Sequence, residues 1–252
     1  MLMNWHEQAA PDFTTEDVLP VLCIGSTEQH ALHMPVGTDA LLASSVVRAA
    51  AEKAKSKILL LPVQYVGYSP HHRFAKGYLT LSQETMFHYY LEVCRCVFES
   101  GFKKLLIVNG HGGNQSCLQT VVNELAAQYD YRAVLLRYWD PVGKEIRAIR
   151  ESVSGGMGHA GEFETSVMQY VRPELVHNER IKEYPPARID RYYDPDLQAG
   201  NPIWQYKTFD TYSPDGNIGQ PHLASPEKGE KFFSTAVNGL TALMDCYMDH
   251  GL

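Results

Sequence analysis

No run in this chain reaches the roughly 18 consecutive apolar residues that a membrane span needs, although 44% of its 252 residues are hydrophobic. Basic residues are scarce: 22 Lys and Arg stand against 29 Asp and Glu, for a net charge of −7. A nucleic-acid binder wants a basic face, so no nucleic acid is expected as a partner. An anionic membrane is no better matched. The opening residues MLMNWHEQAAPDF have no charged segment followed by an apolar one. No signal peptide is therefore expected, and the cytoplasm is the expected location. Cysteine is sparse and odd in number (Cys23, Cys94, Cys96, Cys117, Cys246), which argues against a disulfide framework. Cys94 and Cys96 have no second cysteine pair to complete a metal site and read as ordinary helix residues. Internal repeats and low-complexity linkers are also missing, so a single domain over residues 1–252 is expected.

The chain does have alternation. VLCIG (21–25), KILLLPV (57–63), KLLIVN (104–109) and YRAVLLRY (131–138) read as buried strands. Between them, 39–55, 83–100 and 115–128 carry helical spacing, with Thr38 as a plausible N-cap and Gly101 as a C-cap. A last long helix is expected over 226–248, whereas 177–225, rich in Tyr, Pro, Asp and Gly, reads as long ordered loops with an edge strand or short helix. Short apolar runs alternating with amphipathic helices predict an α/β fold: three layers, α/β/α, around a mostly parallel sheet.

In an open parallel sheet, ligands bind beyond the carboxyl ends of the strands. The polar loops fall there: 25–39, 64–82, 109–114 and 139–143. In EQHALHMPVGTD (28–39), Glu28, His30 and Asp39 offer oxygen and imidazole ligands suited to Zn, Mn or Fe. Asp39 opens a helix, where a carboxylate could bridge two ions or simply answer the helix dipole. His33 reads as a supporting group. NGHGGN (109–114) sets His111 among glycines that allow close backbone approach. A phosphate loop is the rival reading there, but the Lys and Ser/Thr of a P-loop are missing. In GHAGEFETSVM, His159, Glu162 and Glu164 stand at the mouth of a helix, and His159 and Glu162 would share a face if both were helical. His71 and His72 read as surface or substrate-loop residues. Trp139 and Asp140 end the fourth strand, where they either contact substrate or are plain strand-end residues.

Together EQHALHMPVGTD, NGHGGN, HAGEFETS and NIGQPHLASPEKGE, in this order from about residue 14 to 245, resemble the creatininase (creatinine amidohydrolase) family. The resemblance implies a binuclear centre of two divalent ions that hydrolyses a cyclic or other non-peptide amide. It implies Glu28 and His111 on one ion, His30 on the other and Asp39 between them. His159 then shuttles protons, and Glu164 lies close to the metals. A homo-oligomer, often a hexamer in this family, is implied too, with a small-molecule amide as substrate. Creatininase proper has a metal-binding glutamate where this chain has Gly113, so Glu164, or Glu162 behind it, is the substitute ligand. Ala31 and Leu32 replace the family's Gly and Pro, and Lys76 and Tyr78 replace Pro and Thr in a pocket-facing loop. These departures point away from creatinine itself. The alternatives are a formamide deformylase of the flavin or deazaflavin type, or a non-catalytic member that binds a metal or metabolite.

Overall fold

The structure is a computed structural model that describes residues 1–250. Its sheet has five strands: β1 (Leu2–Asn4), β2 (Val18–Ile24), β3 (Lys57–Leu60), β4 (Leu105–Asn109) and β5 (Ala133–Arg137). They lie in the order β1-β3-β2-β4-β5 and every pairing is parallel. The central strands β2 and β4 are buried along their whole length, as continuous apolar runs covered on both faces must be.

Side-chain alternation divides the core. Leu19, Val21 and Cys23 of β2, with Leu106 and Val108 of β4, pack on one face against α1 (Thr38–Lys53), α5 (Glu162–Val171) and α6 (Pro226–His250). Leu22, Ile24, Leu105 and Ile107 point to the other face, toward α2 (Gln83–Glu99) and α3 (Gln115–Tyr129). This makes the three layers. A short α4 (Gly143–Ile149) follows β5. A second, two-stranded antiparallel sheet joins β6 (Met157–His159) to β7 (Ile218–Gly219).

Some boundaries differ from the sequence reading. The first predicted strand starts at Val18, and β1 pairs at the edge although its three residues carry no periodicity. Thr38 is the first helical residue of α1 and Gly37 takes the cap; Thr38 Oγ1 donates to Pro35 O at 2.6 Å and pins the turn that delivers Asp39. Gly101 does close α2, in the left-handed conformation with φ +100°. Among the described residues, no helix is long and apolar enough to cross a membrane.

Candidate metal centre

Because the five strands run parallel, the loops after β2, β3 and β4 open on one rim. The first of them folds back through Glu28 N–H, which donates to Val36 O at 2.8 Å. This buries the Glu28 carboxylate completely. Its Oε2 accepts from Ser69 Oγ at 2.5 Å and lies 3.2 Å from His111 Nε2. Its Oε1 lies 3.2 Å from His72 Nε2 and 3.7 Å from His159 Nδ1. Asp39, second residue of α1, stands between two imidazoles: Oδ1 is 3.1 Å from His30 Nε2, and Oδ2 is 3.0 Å from His111 Nδ1. The Asn109 side chain bonds both His111 N–H and His111 C=O and fixes that residue just past β4. Glu164, on the first turn of α5, accepts from Ala160 N–H at 2.6 Å; His30, His159 and Glu164 each bring a possible ligand atom within 4.8 Å of the others.

Glu28 Oε1 and Asp39 Oδ2 are buried and have no hydrogen bond. Imidazole nitrogens stand 3.2 and 3.0 Å away, but they are not aligned to donate. Buried polar atoms seldom go unpaired. Donors that face a shared point rather than one another are what a cation site requires, since two ligands at about 2.1 Å from one ion are roughly 3.4 Å apart at tetrahedral angles.

Charge says the same. Burial works against ionised imidazole, yet Asp39, with Glu164 and Glu28 beyond it, raises His30 to about 10. Glu28 and Asp39 likewise overcome burial and raise His111 to about 9. Glu28 is held well below its usual range despite burial, by His111, His72 and His159. Burial pushes Glu164 up, and Asp39 and Glu28 add to it. His159 is kept neutral by burial and by His30 and His72; its Nε2–H donates to Gln29 O at 2.8 Å, which leaves the Nδ1 lone pair free.

The structure thus brings Glu28, His30, Asp39, His111, His159 and Glu164 together. Glu162 is elsewhere. His159 ends β6 before α5 begins, so the two do not share a helix face. The Glu162 carboxylate turns away, accepting from Ser152 N–H and Glu151 N–H and pairing with Lys228 Nζ at 2.8 Å. His33 supports α5, its Nε2 lying 2.9 Å from Thr165 Oγ1. The surface reading of His71 and His72 is corrected: both are buried, because the turn Pro70–His72 tucks under Phe209 and against Glu28. Sequence reasoning passed over Ser69 as well. The signal was present in SPHH, two histidines beside a serine on a rim loop.

A cavity of about 510 Å³ opens over the cluster, lined by Glu28, Asp39, His71, His111, His159 and Glu164 below. Tyr68, Trp139, Tyr193, Trp204, Phe209 and Tyr212 form much of its wall, with Arg137 and Lys207 as its cations. Trp139 therefore faces the cavity. Asp140 does not line it and pairs with Arg137 at 2.9 Å; Tyr78 is also outside it.

A doubly covered parallel sheet thus carries a carboxylate–imidazole cluster at its carboxyl rim, a donor set suited to metal ions. The family model "Creatininase: Creatinine amidohydrolase" matches residues 1–244, and the chain belongs to that family of hydrolases, which includes enzymes that act on C–N bonds. It is 29% identical to a creatinine amidohydrolase of Pseudomonas putida, over 94% of this chain and 92% of that one. It is 30% identical to a mycofactocin precursor peptide peptidase of Mycobacterium ulcerans (strain Agy99), over 85% of this chain and 80% of that one. A solved structure described as "Creatininase Mn" superposes with a TM-score of 0.80 at 25% identity, covering 99% of this chain and all of the other.

Proposed function

We propose that this protein is an amidohydrolase that uses two divalent ions, of zinc, manganese or iron, to cleave an amide C–N bond outside a peptide backbone. The observation that carries the reading is the set of buried, unpaired oxygens on Glu28 and Asp39 facing imidazole nitrogens at 3.0–3.2 Å. Glu28 and His111 would hold one ion, His30 and Glu164 the other, and Asp39, flanked on both oxygens, would reach both. Bound there, such ions lower the pKa of water to about 7 and polarise a carbonyl.

The chain's own groups do the rest. Glu28 is ionised and Ser69 fixes its orientation. His159, neutral with a free Nδ1 lone pair, takes the proton released from water and returns it to the departing nitrogen. The balance is amide plus water giving carboxylic acid plus amine. The aromatic wall and the cations Arg137 and Lys207 support a planar amide, larger than creatinine, that carries an anionic group. Peptide-end cleavage, the activity named for the M. ulcerans relative, is the second reading. It is favoured by a further cavity of about 470 Å³ that shares Arg137 and Leu197 with the first. A homo-oligomer belongs to the proposal, supported by Ile203, Trp204 and Tyr206, which are 46%, 86% and 53% exposed on one short stretch.

The test is elemental analysis of purified protein alongside a screen of cyclic amides, formamides and short peptides. Metal with no turnover on any of them would favour a binding role. Full metal content in both His30→Ala and His111→Ala would sink the reading.

A further inference from the structure

His72 has no exposed surface, and neither of its ring nitrogens has a hydrogen-bond partner. Its ring is packed among Phe74, Phe209, His71 and His159, with centroids 4.7–5.9 Å away. His72 does not line the cavity. A buried imidazole unpaired at both nitrogens is rare in a native fold and calls for a physical reason.

The reason lies at Glu28. His72 Nε2 is 3.2 Å from Glu28 Oε1, an oxygen that is itself buried without a hydrogen bond. His159 Nδ1 approaches the same oxygen at 3.7 Å with its lone pair, since its other nitrogen donates to Gln29 O. One ligand atom each from Glu28, His72 and His159 falls within 4.8 Å of the others. The separations from Oε1 bracket the roughly 3.4 Å expected of two ligands on one ion. The loop after β4 offers no second ligand beside His111: position 113 is glycine, where a Cβ would lie 2.4 Å from His111 Nε2 and 2.5 Å from Tyr68 O.

We propose that His72 is a further metal ligand of this chain, adding an imidazole to the ion held at Glu28; the proposal rests on the metal-centre reading above. Imidazole suits zinc, copper, iron or nickel, whereas oxygen ligands alone suit magnesium, calcium or manganese. The Glu28 position is therefore selective for a borderline cation such as zinc.

The experiment uses the full-length protein, stripped with chelator and reloaded with Zn(II) or Co(II), with His88→Ala on the exposed face of α2 as control. Wild type and His88→Ala are expected to bind two ions. His72→Gln is expected to lose more than about 100-fold in zinc affinity for one ion in chelator competition, beyond the ~10–100-fold that loss of an outer-shell partner costs. Its cobalt d–d spectrum should shift as well. Glutamine keeps an N–H that can reach Glu28. If His72→Gln holds wild-type affinity and spectrum, His72 only orients Glu28 and the proposal is overturned. Should that variant fail to fold, a crystal structure of the wild-type zinc form decides: zinc at about 2.0–2.1 Å from His72 Nε2 supports the proposal, and two zinc ions with none bonded to His72 overturn it. A wild type that binds no metal removes the metal-centre reading itself, and this proposal with it.

Discussion

Replacing Glu162 by alanine should cost stability and leave the metal centre loaded. The Glu162 carboxylate is fully buried and accepts from Ser152 N–H at 2.8 Å, Glu151 N–H at 2.9 Å and Lys228 Nζ at 2.8 Å. Lys228 is only 8% exposed and keeps just Leu223 O and the exposed Glu151 carboxylate if Glu162 is removed. Breaking a buried ion pair from one side costs about 3–5 kcal/mol. At about 2–4 °C per kcal/mol for a chain of this size, Tm should fall by about 6–20 °C. Glu162→Gln, which keeps one acceptor oxygen, should lose less. Acid sharpens the test. Burial works to raise the Glu162 carboxyl, but Lys228 and the amides of Ser152 and Glu151 outweigh it and hold it below its ordinary 4.5. A depressed carboxylate stabilises fully above its unfolded value, and that share is lost as pH falls through the folded value. Wild type and Glu162→Gln should therefore converge below pH 4.5. Thermal unfolding by circular dichroism, run beside elemental analysis of the same samples, reads both quantities. A Glu162→Ala protein that kept its Tm and lost an ion would refute the assignment of Glu162 to the scaffold.

Four further outcomes can be checked. Gly113→Glu should lower metal content rather than add a ligand, because its Cβ would fall 2.4 Å from His111 Nε2 and push that ring off Asp39; undiminished metal in elemental analysis would show that the loop yields. Zinc affinity should climb with pH, by up to tenfold per unit for each proton displaced, because His30 at about 10 and His111 at about 9 carry protons that the ion must remove; competition titrations between about pH 6 and 8 that came out flat would contradict this. By the same raised values, the metal-free protein should lose stability as pH rises from 6.5 toward 9–10, where those paired imidazoles discharge. Ala31→Gly should stabilise by about 0.5–1 kcal/mol, because Ala31 sits at φ +51°, where a Cβ is strained and glycine is not; an unmoved denaturant midpoint at constant m would refute it.

Much of this was readable from residue order. Apolar runs that alternate with helical spacing could only make a covered parallel sheet, and such a sheet gathers its loops on one rim. That is why Glu28, Asp39 and His111 could be associated although 83 residues separate the first from the last. What escaped reading has no periodic signature. The short β1 is defined only by its neighbour β3, and the β6–β7 pair joins strands of three and two residues far apart in sequence. His71 and His72 looked like loop residues because burial on an irregular turn depends on what folds over it, here Phe209 from the long segment that carries no pattern. Glu162 and Glu164 are indistinguishable by composition and part company only through side-chain direction on the first turn of α5.

The helix α6 has no residue in the cavity, yet it packs over both α1 and α5, which carry Asp39 and Glu164. Its approach to α5 is so close that a Cβ at Gly229 would fall 2.0 Å from Ser166 O. The separation of those two carboxylates is therefore gauged from behind, by the thickness of side chains at the seam of three helices. A screen for altered metal preference should therefore return substitutions not only among the candidate ligands but along the hidden side of α6, at Gly229, Phe232 and Ala236.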